Sequence, residues 1–173
     1  MTNSLSNKTV FISGAAGGIG EALCIAFASA NARIILHCNS NREKAESIMS
    51  NLPKNKHMIV QGDLSESENI ERIFNGIGSV DVVVNNAALI EKHEIESLSF
   101  ESWKKIWNRT LDINLIGPAH IIYCASQKMK DNNGGKIINI SSRGAFRGEP
   151  SAPAYGASKA GLNSLGQSMA KAL

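Results

Sequence analysis

Five short segments of this chain are apolar at almost every position, and that pattern leaves few folds open. They are residues 9–13 (TVFIS), 34–38 (IILHC), 58–60 (MIV), 80–84 (VDVVV) and 137–140 (IINI). A strand with one wet face alternates apolar and polar residues, and these do not. Continuous Val/Ile runs of this length suit strands covered on both faces, as in a parallel sheet. The stretches between them have helical spacing. Ile19, Ala22, Leu23, Ala26, Phe27 and Ala30 recur at i, i+3, i+4, i+7, i+8 and i+11, which predicts one apolar stripe facing the sheet. Residues 41–52 and 65–77 are shorter and more polar, and Ser65 with Glu68 has capping-box spacing. Residues 99–130 form the longest predicted helix, with Trp103, Ile106, Trp107, Leu111, Leu115 and Ile122 mostly on one side, and the turn DNNGG ends it. Strand, helix, strand, repeated with right-handed crossovers, makes an α/β protein: a doubly wound parallel sheet with helices on both faces. A last helix starts near Tyr155 and is still patterned at Leu173, so the chain reads as cut inside an element.

Length and composition agree with that class. The 173 residues fit one domain, 1–173, with an ample core. No apolar run approaches the roughly 18–20 residues that span a bilayer, and the start, MTNSLSNKTVFISG, lacks the features of a secretory signal. The net charge of +3 comes without a Lys/Arg cluster, so no electrostatic footprint for nucleic acid is present. Cys24, Cys38 and Cys124 are odd in number and widely separated, and they read as reduced, packed thiols of a cytoplasmic protein. His37, His57, His93 and His120 have no metal-ligand spacing.

Two clusters carry chemistry. Ser13-Gly14-Ala15-Ala16-Gly17-Gly18-Ile19-Gly20 follows a predicted strand and opens a predicted helix. Glycines there permit a tight turn and let a phosphate approach the backbone, while the helix start offers free N–H groups and a favourable dipole. The spacing Gly-x-x-x-Gly-x-Gly fits a nucleotide site or a structural turn. At the end of the second strand, His37-Cys38-Asn39-Ser40-Asn41-Arg42, no acid stands to bind a ribose 2′-OH and repel a 2′-phosphate. Arg42 and Lys44 are near enough in sequence to meet such a phosphate, or are solvated charges at a helix start. An acid introduced at Cys38 should therefore shift preference towards NADH. The second cluster is Ser142, Tyr155 and Lys159. Tyr155 and Lys159 are four apart, so on a helix their Cβ atoms lie about 5–6 Å apart. A tyrosine hydroxyl titrates near 10, too high for neutral-pH acid/base work, and a nearby ammonium favours its phenolate. Ser142 ends the fifth strand at the carboxyl edge, where ligands bind in such sheets.

The segment GKIINISSRGAFRGEPSAPAYGASKAG closely resembles the active-site segment of the short-chain dehydrogenases/reductases, in which the Ser lies 13 residues before the Tyr of Tyr-x-x-x-Lys, as Ser142 does before Tyr155. SGAAGGIG resembles that family's cofactor turn, Asp63-Leu64 its adenine-side residues, Asn85-Asn86-Ala87-Ala88 its Asn-Asn-Ala-Gly segment, and Asn114 in DINLIG its fourth catalytic residue. The resemblance covers residues 8–173 and implies a Rossmann-like fold with strands one to five present. It also implies roles. Tyr155 would be the general acid in reduction and base in oxidation. Lys159 would hold the nicotinamide ribose and lower the Tyr pKa, Ser142 would polarise the carbonyl, and Asn114 would fix a water leading from Lys159 to solvent. Gly14, Ala16, Gly18, Ile19 and Gly20 would wrap the pyrophosphate. Asn86 and Ala87 would border the adenosine ribose and Asp63 and Leu64 the adenine, with Asn39 and Arg42 completing the cofactor-binding residues.

Two departures stand out: Ala88 replaces the usual Gly, and the family's later strands, substrate loop and Pro-Gly segment have no counterpart here. The fifth strand is then expected as an open edge. The implied activity is interconversion of a ketone, such as a 3-oxoacyl thioester, with a secondary alcohol. NADP(H) is expected to be preferred and NAD(H) to be possible. The small-molecule substrate needs neither nucleic acid nor membrane, and the full-length form is expected to be a homo-oligomer. A nucleotide-binding module without turnover and an inactive piece of a longer enzyme stay open as rivals. Trp103, Ile106 and Trp107 read as packing or subunit contact, and Arg143 and Arg147 as solvated loop charges or as partners of an anionic substrate.

Overall fold

The computed structural model describes residues 5–173, so the first four residues of the N-terminal stretch read above lie outside the described residues. One five-stranded parallel sheet has the order β3-β2-β1-β4-β5. Its strands are β1 Thr9–Ile12, β2 Arg33–Cys38, β3 Met58–Gln61, β4 Val82–Asn85 and β5 Lys136–Asn139. The register sets Phe11 beside Ile35 and Val83, and Val84 beside Ile138. The helices are α1 Gly18–Ser29, α2 Arg42–Ser50, α3 Ser67–Gly76, α4 Phe100–Leu111, α5 Gly117–Lys130, the short α6 Gly144–Arg147 and α7 Pro153–Ala172. Successive residues of a strand point to opposite faces. Val10 and Ile12 accordingly join Cys24, Ala28 and Ile48 of α1 and α2 on one side. Phe11 joins Ile70, Ile73 and Phe74 of α3 and Ile121 and Ala125 of α5 on the other. β1 is buried at every position, as its unbroken apolar run predicts. At about 1.5–3 kcal/mol for each fully buried large apolar side chain, these two clusters dominate the favourable side of folding.

Several local expectations are overturned. The buried face of α1 is Gly20, Cys24 and Ala28, whereas Ile19, Ala22 and Ala26 are exposed. The glycine turn sets the rotational phase of the helix, and small residues pack closest to the sheet. Ser65 does not cap α3: its hydroxyl donates to Asp63 Oδ1 at 2.8 Å, and the helix starts at Ser67 after Glu66. The long predicted helix is broken by a π-helical turn, Asp112–Ile116, between α4 and α5. β5 is not covered on both faces, since Lys136 and Ile138 are exposed. A groove of about 610 Å³ runs along it, with Ile122, Met129, Ile137, Asn139 and Met169 in its walls. Cys24 and Cys38 are buried free thiols; burial, then the Glu21 charge, pushes Cys24 up to about 12, which keeps it protonated and unreactive.

One hydroxyl makes three of the hydrogen bonds that join the carboxyl ends of β1 and β4. Ser13 Oγ accepts the N–H groups of Asn86 at 2.9 Å and Ala87 at 3.0 Å and donates to the Val84 carbonyl at 3.3 Å. Ser13 is 1% exposed, so water cannot replace it. Each buried donor left without a partner costs about 1–3 kcal/mol. Ser13→Ala should therefore lower unfolding stability by about 2–4 kcal/mol in a urea titration; a loss below about 0.5 kcal/mol would show that the hydroxyl does not join the strands.

Candidate active site

The site is assembled on the carboxyl edge of the sheet. Leaving β1, the chain reaches Gly14 at φ +63°, a conformation that favours glycine. A Cβ there would also lie 2.8 Å from Ala87 Cα, so the turn and the β4 end touch at van der Waals distance. Asn86 secures the same contact by donating from Nδ2 to the carbonyls of Ser13 at 3.0 Å and Gly14 at 3.1 Å. The chain then opens α1 at Gly18, where a Cβ would meet no atom within 4 Å.

His37, on β2, fastens the turn from the other side. Its Nδ1 accepts the Gly14 N–H at 3.2 Å, and its Nε2 lies 2.9 Å from the Gly62 carbonyl. A carbonyl only accepts, so the partners assign the neutral Nε2–H tautomer. Burial pushes the imidazole below its usual value of 6.5, against the opposing pull of the Gly62 carbonyl and of Asp63.

A cleft of about 480 Å³ lies over these elements. Its walls are Gly14, Gly17, Gly18, Ile19, Gly20, His37, Asn39, Asp63, Leu64, Asn86, Ala87, Ala88, Leu89, Arg109 and Ile113. The fit to a dinucleotide rests on this geometry: a glycine-lined helix start faces open space, and polar Asn39 and Asp63 adjoin apolar Leu64 and Ile113. Asp63 Oδ1 accepts from the Ser65 backbone at 2.9 Å and hydroxyl at 2.8 Å. Arg109 stands 3.8 Å and Asn39 Nδ2 3.5 Å from Asp63 Oδ2. Burial works to raise this carboxyl, but the two Ser65 hydrogen bonds, then Arg109 and Asn39, hold it below the usual range.

Most residues singled out in the sequence on the nucleotide side do line this cleft, and three, Ala16, Arg42 and Lys44, do not. Ala16 is absent from its walls, and so is Arg42, whose Nε pairs with Glu46 at 2.8 Å. Lys44 pairs with Glu21 at 2.7 Å. Cys38 is 1% exposed and faces the interior, so the residue at the end of β2 that meets the cleft is Asn39. Ser13 and His37 were named only as members of their segments, with no role, and Arg109 was not named at all. For Ser13 a hydroxyl ending a strand beside the Gly turn was the available signal; for His37 and Arg109 the partners come from residues 23 and 46 positions away in the chain, and no local signal exists.

Tyr155 and Lys159 share the first turns of α7, with the Lys159 ammonium 5.8 Å from the Tyr155 ring centroid. Lys159 is 2% exposed and donates to the Ile140 carbonyl at 2.8 Å, which ties the helix to the end of β5. Burial brings its ammonium down from 10.5 to about 8. Ser142 follows two residues on, its hydroxyl accepting the Gly144 N–H at 3.2 Å. Asn114 is fully buried in the π turn, and its side chain is committed to protein: Oδ1 accepts the Leu89 N–H at 2.7 Å, and Nδ2 donates to the Leu89 carbonyl at 2.8 Å and to Ser158 Oγ at 3.1 Å. Trp103 and Trp107 pack near each other and His93, ring centroids 5.2–6.4 Å apart, in agreement with the packing alternative. Among the described residues no group of three His, Cys, Asp or Glu side chains could hold a metal ion, and no helix is long and apolar enough to cross a membrane.

The family model for short chain dehydrogenases matches residues 8–173. The galactitol 2-dehydrogenase of Agrobacterium fabrum is 34% identical over 174 residues, covering 98% of this chain and 66% of that protein. A short chain dehydrogenase/reductase of Colletotrichum higginsianum is 32% identical over 178 residues, covering 98% and 65%. The crystal structure of a short-chain dehydrogenase from Streptomyces avermitilis superposes with a TM-score of 0.85 at 25% identity, covering 97% of this chain and 61% of that one. The chain thus spans about two thirds or less of the length of these relatives.

Two of the shifted groups, His37 and Lys159, predict opposite ends of a pH profile with the same sign. His37 binds its proton more weakly folded than unfolded, so stability falls as pH drops below 6.5, and a His37→Asn variant should lose that slope in thermal melts from pH 7 to 5. Between about 8 and 10.5 the unfolded chain keeps a Lys159 proton that the native state has released, so stability rises with pH. Relative to Lys159→Met, the native protein should gain about 2 kcal/mol from pH 7.5 to 9.5 in denaturant titrations. A parallel pair of curves would mean that Lys159 is solvated.

Proposed function

The chain belongs to the short-chain dehydrogenase family, and from that membership we propose that it is an oxidoreductase interconverting a ketone and a secondary alcohol with a nicotinamide nucleotide. What carries the reading is the buried Lys159 ammonium beside the Tyr155 ring, on a helix tied to the strand end that leads into Ser142. Bound in the glycine-lined cleft, the nucleotide supplies or accepts the hydride. Tyr155 donates its hydroxyl proton to the carbonyl oxygen in reduction and removes it in oxidation. Lys159 steers that proton by its charge and reaches the ribose hydroxyls, while Ser142 turns its hydroxyl to the substrate oxygen. Asn114 acts as a bolt: with its amide held by Leu89 and Ser158, it fixes the segment after β4 against the helix that bears Tyr155. Gly14, Gly18, Ile19 and Gly20 hold the pyrophosphate, and Asn39, Asp63, Leu64, Asn86 and Ala87 the adenosine.

Preference for NADP(H) is part of the proposal. It is supported by the neutral Asn39 at the end of β2, where an acid would repel a 2′-phosphate. Arg42, half-exposed, would reach that phosphate only by leaving its pair with Glu46. A ketone of the 3-oxoacyl-thioester kind is the proposed substrate class, and the activity belongs to the cytoplasm. A second reading, a nucleotide-binding module without turnover, is favoured by one observation: the cleft walls stop short of Ser142 and Tyr155, which leaves the substrate side open.

Thermal melting with NADPH, NADH or neither is the deciding experiment. At a hundredfold excess over Kd, binding adds about 2.7 kcal/mol, or roughly 5–10 °C. A larger rise with NADPH is expected, and no rise with either nucleotide would refute the proposal. Gly18→Val should fold, since a Cβ there meets no protein atom within 4 Å, yet lose the shift; a retained shift would remove the glycine turn from the site. Asn39→Asp should move preference towards NADH. Tyr155→Phe should keep the melting shift while NADPH-dependent reduction of a 3-oxoacyl thioester falls about 10²–10⁴-fold. Shift without turnover in the unaltered protein would select the binding-module reading.

A further inference from the structure

The helix that carries Tyr155 has no cap of its own. Its N-cap, Ala152, has no side-chain acceptor, and Pro153 at its first position has no N–H. The N–H groups of Tyr155 and Gly156 both reach the Ala152 carbonyl, at 3.0 and 3.3 Å. One donor remains, the Ala154 N–H, and it is taken by His93 Nε2 at 3.1 Å from 61 residues away in the chain. The other ring nitrogen, Nδ1, lies 2.7 Å from the Glu91 carbonyl, which can only accept. The partners therefore assign His93 as the neutral Nδ1–H tautomer, opposite to His37. The backbone repeats the link, since the His93 N–H donates to the Ser151 carbonyl at 2.8 Å. The ring is 1% exposed and stands edge-on to Trp103, centroids 5.2 Å and planes 66° apart, and to Trp107, at 6.4 Å and 83°.

We propose that His93 is a positioning residue for Tyr155: its Nε2 lone pair caps the catalytic helix one residue before the tyrosine and sets where the hydroxyl points. The inference rests on the reading of Tyr155 as the proton donor. A ring that merely filled space would need no lone pair at Nε2, and leucine would replace it. The two indoles of α4 fix the plane of the ring, so the lone pair has one direction. The segment after β4 is thereby clamped to α7 at His93 as well as to Asn114 at Leu89.

The test uses NMR on the whole chain, which has only two tyrosines, Tyr123 and Tyr155. In the unaltered protein, ¹⁵N shifts should show His93 protonated at Nδ1 and His37 at Nε2, each serving as the other's control. In His93→Leu, the Tyr155 ring-carbon resonances should move and Ala154 amide exchange should quicken at least tenfold, while Tyr123 and the Gly14 and Gly18 amides stay in place. His93→Gln, with an acceptor at similar reach, should restore both. Protonation at His93 Nε2, or a folded His93→Leu with Tyr155 and Ala154 unchanged, would overturn the proposal. Should the leucine variant not fold, the glutamine variant decides, native-like Tyr155 resonances supporting the cap and displaced ones overturning it. A missing nucleotide-induced melting shift would instead strike the oxidoreductase reading and leave these resonances as they are.

Discussion

The hydroxyl of Ser13 is the point on which the rest of the site hangs. Because β1 is the middle strand, its carboxyl end lies beside that of β4, and a single Oγ bonds three backbone groups across the gap. That contact brings Ala87 so close to Gly14 that a side chain at Gly14 has no room. The glycine turn, held also by His37 and Asn86, then leads into α1 beneath the cleft. A parallel sheet makes this arrangement available, since all its strands end on the same edge and leave their last N–H and C=O groups there.

Around that edge the fold keeps a small number of polar groups in places where apolar ones would pack more simply. His37 and His93 are both buried and both neutral by their partners, yet in opposite tautomers. Each accepts one backbone N–H at the start of a segment, the glycine turn in one case and α7 in the other. Lys159 is buried, donates to the Ile140 carbonyl and has a depressed pKa. Burial of such groups costs free energy; what they contribute is direction, because a hydrogen bond fixes an angle that apolar contact leaves free. The exposed edge of β5, by contrast, is a surface the described residues leave uncovered.

The sheet and its order of elements were legible because unbroken apolar runs need cover on both faces, and β1 and β2 have it. The pairing of Tyr155 with Lys159 was legible because spacing along one helix survives folding. Other readings failed where a local pattern met a nonlocal competitor. Ser65 and Glu68 had capping spacing, but Asp63 took the serine hydroxyl. The stripe beginning at Ile19 had helical period, but the turn before it rotated α1 so that Gly20, Cys24 and Ala28 face the sheet. Arg42 and Lys44 lie near the expected place in sequence, and in the fold they pair with Glu46 and Glu21. Cys38 ends β2, but alternation along the strand turns it inward and leaves Asn39 to meet the cleft.

By itself, the amino-acid sequence determined the class of sheet, the position of the glycine turn and the pairing of Tyr155 with Lys159. Each depends on periodicity or on separations of a few residues, and secondary structure preserves those. Tertiary structure alone decided which polar groups are neutral, which charges are engaged and which residues face the cleft. Those outcomes depend on partners brought from distant parts of the chain: Gly62 against His37, Asp63 against Arg109, Ala154 against His93. Burial and hydrogen-bond direction then select one protonation state or tautomer, and both exist only once the chain has folded.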